Sequence, residues 1–269
     1  MLSVRFHLTA LESNRARDAL RFKSWQLDAL EARAAGTELL SVGPFRVVIS
    51  ADPGADSWVT LVDGEVAQAD LQGAVGRLRS MFTRRKTELQ IEYSESVAPQ
   101  AGAWLAASGL TQIERNPLMA CRPEVFRPYA ALGVVQNQLG RSSPASDLAA
   151  FQEIRWTDGG EVRRPVPPVT RLKKDLAAPN SVYLLALLDG RVAGTGVSHS
   201  LRGAAEIVGI VTRIESRRRG VAATVSSELV ARHFATGGDF VFLDAANEEA
   251  ARVYERLGFA RFGANLVYR

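Results

Sequence analysis

Cysteine and histidine are scarce: Cys121 is the single thiol, and the histidines are His7, His199 and His233. One cysteine excludes an intramolecular disulfide and a thiolate zinc site, and histidines this far apart give no ligand spacing, so no metal centre is expected. Cys121, within Leu118-Met119-Ala120-Cys121, reads as a small apolar core residue. No run approaches the ~18 apolar residues of a membrane span, and the N-terminus lacks the unbroken apolar stretch of an export signal. The expectation is a cytoplasmic protein with no membrane partner. An excess of one charge is also lacking: 33 Lys and Arg stand against 29 Asp and Glu, a net +4. The densest basic runs, Arg84-Arg85-Lys86 and Arg217-Arg218-Arg219, are too short for the basic stripe of a nucleic-acid binder, so no nucleic-acid partner is expected. What the chain has is apolar residues, 46% of 269, enough for two ordinary cores.

The periodicity predicts a mixed α/β (α+β) layout. Apolar residues at helical spacing fill 10–34. Phe45–Ile49 and Trp58–Val62, separated by Asp52-Pro53-Gly54, read as a β-hairpin. A helix over 68–84, a strand at 88–93, a helix over 99–108 closed by Gly109 and a strand at 110–121 come next. Pro123 and Pro128 punctuate a boundary, giving domains 1–127 and 128–269. Beyond it come a strand at 132–139 and helices over 146–155 and 168–177. Strands 182–188 and 191–198 are joined by Asp189-Gly190, a strong two-residue hairpin signal. Last come a strand at 206–212, a helix over 219–236, a strand at 240–244, a helix over 248–257 and a strand at 259–268. Both halves end strand, helix, glycine, strand, which suggests an internal duplication.

Chemistry concentrates after Ile207–Thr212. That strand turns through Arg217-Arg218-Arg219-Gly220-Val221-Ala222 directly into a helix. A helix N-terminus offers unpaired N–H groups and the positive end of the macrodipole, and Gly220 and Ala222 let a phosphate approach the main chain. The arginines add charge for phosphate oxygens; a solvated arginine-rich turn has the same composition. Further on, Asn247 stands where a cap belongs, and Ala250, Tyr254 and Leu257 fall on one face of the last helix.

Together these segments resemble the GNAT superfamily of N-acetyltransferases. The turn is similar to its pyrophosphate signature, Gln/Arg-x-x-Gly-x-Gly/Ala, at Arg217, Gly220 and Ala222. The second segment is similar to the family's asparagine, alanine, tyrosine and Leu-Gly-Phe pattern at Asn247, Ala250, Tyr254 and Leu257-Gly258-Phe259. The resemblance implies a mostly antiparallel sheet flanked by helices, here in tandem, and direct acetyl transfer from acetyl-CoA to a small-molecule or peptide amine. It implies two parallel strands that splay around the pantetheine arm, Glu206–Thr212 and Phe240–Asp244. Main chain of Ile210, Val211 and Thr212 would pair with pantetheine, with one N–H as oxyanion donor. Arg217, Arg218, Arg219, Gly220, Val221 and Ala222 would hold the diphosphate, Asn247 would touch pantetheine, and Tyr254 would protonate the departing thiolate. The base that deprotonates the amine would be Glu206 or Asp244. Strand ends commonly carry solvated carboxylates as well.

The first half departs from this pattern. No Arg-x-x-Gly-x-Gly/Ala turn precedes its helix at 68–84, and no tyrosine matches Tyr254. It reads as a degenerate copy, unable to bind CoA in the usual way. Trp58, Trp104 and Trp156 could line an acceptor site or simply fill cores. A catalytically silent acyl-CoA-binding regulator of the same fold is the alternative reading.

Overall fold

The computed structural model describes residues 15, 17–26, 28–29, 37–50, 57–62, 65–158 and 166–269. The rest of the expected 10–34 helix, the Asp52-Pro53-Gly54 turn and part of the proline-rich loop lie outside them.

The chain divides into two compact units that are interleaved rather than consecutive. Unit 1 comprises Met1–Leu118, Asp244–Asn247 and Arg261–Arg269, and unit 2 comprises Met119–Leu243 and Glu248–Ala260. A cut at 127/128 therefore does not describe the packing. Two end strands account for the difference: Arg261–Arg269 groups with unit 1, and residues 119–121, the end of the strand that closes the first half, group with unit 2.

In unit 1, helix α1 (residues 17–26) buries Phe22 and Trp25. Strands β1 (Thr37–Val42), β2 (Phe45–Ser50) and β3 (Trp58–Leu61) run antiparallel in turn. The expected pairing of Phe45–Ile49 with Trp58–Val62 is present, and β1 is an addition. Its residues 38–42 are exposed or half-buried, so it carries no strong alternation for a sequence reading to detect. Helix α2 (Gln68–Arg85) then leads to β4 (Ile91–Ser94), parallel to β3. Leu71, Ala74, Val75, Leu78 and Phe82 line the buried face of α2 at helical spacing. They meet Phe45, Leu61, Ile91 and Tyr93 from the sheet and Leu105 from α3 (Ala101–Ala107). Trp104 packs against this core, and Trp58 against Val48 and Val62. Beside β4 lies β11 (Ala260–Tyr268), antiparallel, with Asn265 opposite Ser94 and Tyr268 opposite Ile91. Then comes β5 (Gln112–Cys121), whose residues through Leu118 belong to this unit.

Unit 2 has the strand order β5-β10-β9-β8-β7-β6, closed by the last residues of β5. Strands β6 (Val134–Gln138), β7 (Ser181–Leu188), β8 (Arg191–Leu201) and β9 (Ala204–Thr212) are antiparallel. The turn between β7 and β8 has positive φ at both Asp189 (51°) and Gly190 (78°), the requirement of a type I′ hairpin. Helix α6 (Val221–Ala235) crosses from β9 to β10 (Phe240–Asp244), and α7 (Glu248–Arg256) comes after it. Helices α4 (Ala145–Thr157) and α5 (Val169–Asp175) share a core with Tyr183, Leu185 and Val197. The next residue along β8, Gly196, meets Val225 and Leu229 of α6. Successive strand residues face opposite ways, so α4 and α5 cover one face and α6 the other.

Each half of the chain thus contains the series β-β-β-α-β-α-β: β1-β2-β3-α2-β4-α3-β5 and β7-β8-β9-α6-β10-α7-β11. The expected duplication is visible in this order, with the final strands exchanged.

Candidate active site

Strands β9 and β10 separate along their length. Their parallel ladder pairs Phe240 with Ala204, Val241 with Ala205 and Phe242 with Glu206. Beyond Glu206, β9 continues to Thr212 with no β10 residue in register. Its other edge stays paired with β8, apart from a bulge where Thr195 faces Val211 and Val197 faces Val208. Gly209 sits in that bulge at φ +60°, a left-handed conformation that glycine adopts without steric cost. The gap beside Ile207–Thr212 therefore exposes one ladder edge. The Thr212 hydroxyl is buried with no hydrogen-bond partner among the described residues.

At the end of β9 the chain makes a single 3-10 turn at Ile214–Ser216 and enters α6 through Arg217–Gly220. Arg218 (φ 61°) and Gly220 (φ 81°) both lie in the left-handed region. Among the described residues, the N–H groups of Arg218, Arg219, Gly220 and Val221 donate to no backbone carbonyl outside the helix. Arg217, Arg218 and Arg219 are exposed. The turn is an open concavity of unpaired donors at a helix N-terminus, which suits an anion.

Its arginines do different things. Arg217 folds back, with Nε 3.4 Å from the Thr212 carbonyl and NH2 3.3 Å from the Asp158 carbonyl. Arg219 pairs with Asp189 of the β7–β8 turn at 2.8 Å. Only Arg218 has neither an ion pair nor a side-chain hydrogen bond among the described residues. Composition alone does not separate the three.

Tyr254 is buried on α7 with Ala251, its ring 5.8 Å from that of Phe259. Burial pushes its phenol up to about 12; the neighbouring Ser226 hydroxyl of α6 opposes this more weakly. That hydroxyl is itself buried and outside strict hydrogen-bonding geometry with any described residue. At neutral pH the phenol keeps its proton.

Glu206 is half-buried at the mouth of the splay, opposite His199 across the β8–β9 ladder. Val197 and Val208, the pair two residues further along the ladder, belong to the α4–α5 core. Glu206, two residues from Val208, faces that same side, whereas α7 packs with α6 on the other. The expected base and acid thus flank the gap from opposite faces. His199 Nδ1 is 2.9 Å from the Ser181 hydroxyl. Asp244 instead accepts from Asn265 at 2.8 Å, and both Asp244 and Asn247 group with unit 1.

Three contributors escape a reading of the sequence. Ser226 and His199 adjoin Tyr254 and Glu206, but no linear spacing links them. Tyr129 comes from the segment between β5 and β6: its N–H donates to Ser227 Oγ at 2.8 Å, and the N–H of Ala131 donates to Thr224 Oγ1 at 2.9 Å. A Cβ placed on Gly220 would lie 2.7 Å from Ala131 Cβ and 2.9 Å from the Tyr129 hydroxyl. Tyr129 thus reaches the edge of the turn. Among the described residues no cluster of His, Cys, Asp or Glu could hold a metal ion, and no helix is long and apolar enough to cross a membrane.

Residues 148–259 match the family model described as Acetyltransferase (GNAT) family. That stretch starts in α4 and stops where the chain is about to leave unit 2. No curated protein matches the chain. Among solved structures, a GCN5-related N-acetyltransferase from Kribbella flavida is similar at a TM-score of 0.74 and 21% identity, over 92% of this chain and 93% of that one. A GCN5-related N-acetyltransferase from Sphaerobacter thermophilus gives 0.65 and 17%, over 84% and 76%. A tandem GNAT protein from the clavulanic acid biosynthesis pathway gives 0.61 and 16%, over 87% and 82%. At such identities the likeness is one of fold. The chain therefore has the fold of GNAT proteins, some of them tandem, and the match to the GNAT acetyltransferase model falls on its second half, at residues 148–259.

Proposed function

We propose that the protein transfers an acetyl group from acetyl-CoA directly to an amine, using unit 2. The observation that carries this reading is the unpaired edge of β9 beside β10, leading to a turn of unpaired amides at Arg218–Val221. These features fit the co-substrate of the family: a diphosphate for the turn and a pantetheine arm for the ladder edge. The buried, partnerless Thr212 hydroxyl lies where these two parts of the site adjoin.

Acetyl-CoA supplies an activated thioester carbonyl and a thiol leaving group. The chain supplies the rest. Main-chain groups of Ile210, Val211 and Thr212 align the pantetheine, with one N–H polarising the carbonyl. Amides of Arg218, Arg219, Gly220 and Val221 take the diphosphate together with the Arg218 guanidinium, while Arg217 and Ala222 shape the turn. Glu206 removes a proton from the acceptor ammonium, directly or through water, because only the free amine attacks. Tyr254 returns a proton to the thiolate, and burial keeps that proton available. The amine adds to the carbonyl, the C–S bond breaks as sulfur takes the Tyr254 proton, and the nitrogen gives up its second proton, which restores the phenol; the products are an acetamide and CoA thiol, and the proton on Glu206 passes to solvent.

Calorimetric titration with acetyl-CoA, followed by thiol release with a panel of small amines and peptide N-termini, tests this. Binding with acceptor-dependent thiol release is expected. Binding without release from any acceptor would leave an acyl-CoA-binding regulator, and absence of binding removes both readings.

A further inference from the structure

Unit 1 has lost the donor turn but has a groove of its own. Two cavities of ≈ 500 and ≈ 770 Å³ adjoin along α2 and share Gly43, Gly73 and Arg77. Both are of the size that small-molecule sites have. Arg46, Val62 and Val66 line the first, and Val42, Met81 and Arg84 line the second. Arg77 stands between them: its guanidinium nitrogens come 3.4 Å from a Cβ built on Gly43 and 3.7 Å from one built on Gly73. Among the described residues Arg46, Arg77 and Arg84 have no ion pair or hydrogen-bonded partner, and Asp70 is the only acidic lining residue.

The helix floor is costly in a way that packing does not explain. Gly73 and Gly76 lie inside α2, where glycine is worse than alanine. A Cβ on Gly76 would meet nothing within 4 Å, and one on Gly73 only the Arg77 side chain at ordinary contact distance. Among the described residues neither glycine is demanded by a neighbour, so what both preserve there is open space beneath the arginines. The outer face of α6 in unit 2 differs: its Thr224 and Ser227 are covered by the main chain of Tyr129 and Ala131. The groove is therefore particular to unit 1.

We infer that this groove binds an organic anion, its carboxylate or phosphate head held by Arg77 and Arg46 and its apolar body lying on Val62 and Val66. The site is separate from the turn at Gly220 and does not depend on acetyl transfer.

The test is calorimetry on the full chain at low salt, with hexanoate, hexyl phosphate and hexylammonium as probes, each with and without CoA. Both anions are expected to bind and the ammonium to fail; the stronger anion identifies the preferred head group. Loss of one charge-assisted contact should weaken binding about tenfold or more in Arg77→Ala, with partial recovery in Arg77→Lys. Gly73→Leu, which places a good helix former where the two cavities meet, should abolish binding while leaving Tm unchanged or raised. Arg46→Ala gives an independent check should Arg77→Ala unfold. Failure of both anions to bind, equal binding of the ammonium, indifference to Arg77→Ala and Gly73→Leu, or displacement of the anion by CoA would each overturn the inference. Displacement would place the probe at the Arg217–Ala222 turn instead.

Discussion

Strands β3 and β9 occupy the same place in two copies of one chain order, and they end differently. In unit 1, β3 pairs with β4 at Val59 and Thr60 and stops at Leu61. In unit 2, β9 outruns its last β10 partner and continues to Thr212. The entries into the next helices differ too. Helix α2 begins after Ala67, an extended residue with no side-chain cap, whereas α6 begins after Gly220 in the left-handed region. The fold sets only the crossover from strand to helix. A longer strand, a bulge at Gly209 and left-handed backbone at Arg218 and Gly220 distinguish that crossover in unit 2, and none of them is present among the described residues of the unit 1 crossover. A shared architecture need not carry a shared chemistry.

The sharpest way to break this contrast is to remove the phenolic hydroxyl from one unit and then the other. Tyr254→Phe is expected to lower kcat by about 10²–10⁴-fold, with the acetyl-CoA affinity changing far less. Tyr93→Phe in unit 1 should leave kcat unchanged. Steady-state kinetics with a responsive amine decides, and an equal loss in both variants would place the effect in folding rather than chemistry.

Alkaline titration compares the two cores. Burial pushes Cys121 from 9.0 to about 12, with the Arg122 backbone opposing this and Glu124 reinforcing it, and Tyr254 from 10.0 to about 12. In unit 1, burial raises Tyr93 further still, helped by Tyr268. All three stay protonated in the folded chain while their unfolded counterparts ionise. They therefore leave stability untouched below about pH 9, and stability falls from there toward about pH 12. The slope is about 1.4 kcal/mol per pH unit for each group in its window. Urea midpoints between about pH 8 and 11 should fall steadily, and Cys121→Ala should flatten the part that begins near pH 9. A flat profile would contradict the burial of these groups.

A smaller effect separates the arginines. Arg218→Ala should weaken acetyl-CoA binding about tenfold, less at high salt. Arg219→Ala breaks only an exposed pair with Asp189, with side chains 54% and 61% accessible, and should cost below about 1 kcal/mol of stability. Calorimetry at two salt concentrations checks both. The reverse ranking would show that Arg219 leaves Asp189 to reach the diphosphate.

That ranking also shows what the sequence can and cannot disclose. Periodicity locates most helices and strands, and Asp189-Gly190 its turn, because each depends on residues close along the chain. The run Arg217–Ala222 likewise announces a strand-to-helix turn through Gly220. Which arginine points outward depends on Asp158 and Asp189, far away in sequence, and no local pattern contains that. The same holds for Ser226 beside Tyr254 and His199 opposite Glu206. The interleaving of the units is hidden for a related reason: β11 alternates correctly for a strand in either sheet, and its choice of β4 rests on cross-strand partners such as Ser94 and Tyr93. Strand β1 escapes notice because none of its side chains at residues 38–42 is fully buried.

The mildest substitution bears on unit 1 alone. A methyl group at Gly76 meets open space, and alanine inside a helix is worth about 1 kcal/mol over glycine, so Gly76→Ala should stabilise unit 1 by that amount and raise its unfolding midpoint by a few degrees. Turnover in unit 2 should stay the same. Destabilisation would mean that the groove is closed in solution by something packed against Gly76. A stabilised, fully active variant would instead show that this glycine serves the open space and not the fold, a role with no parallel in the second copy, where the glycine that matters, Gly220, stands at the entrance to its helix rather than within it.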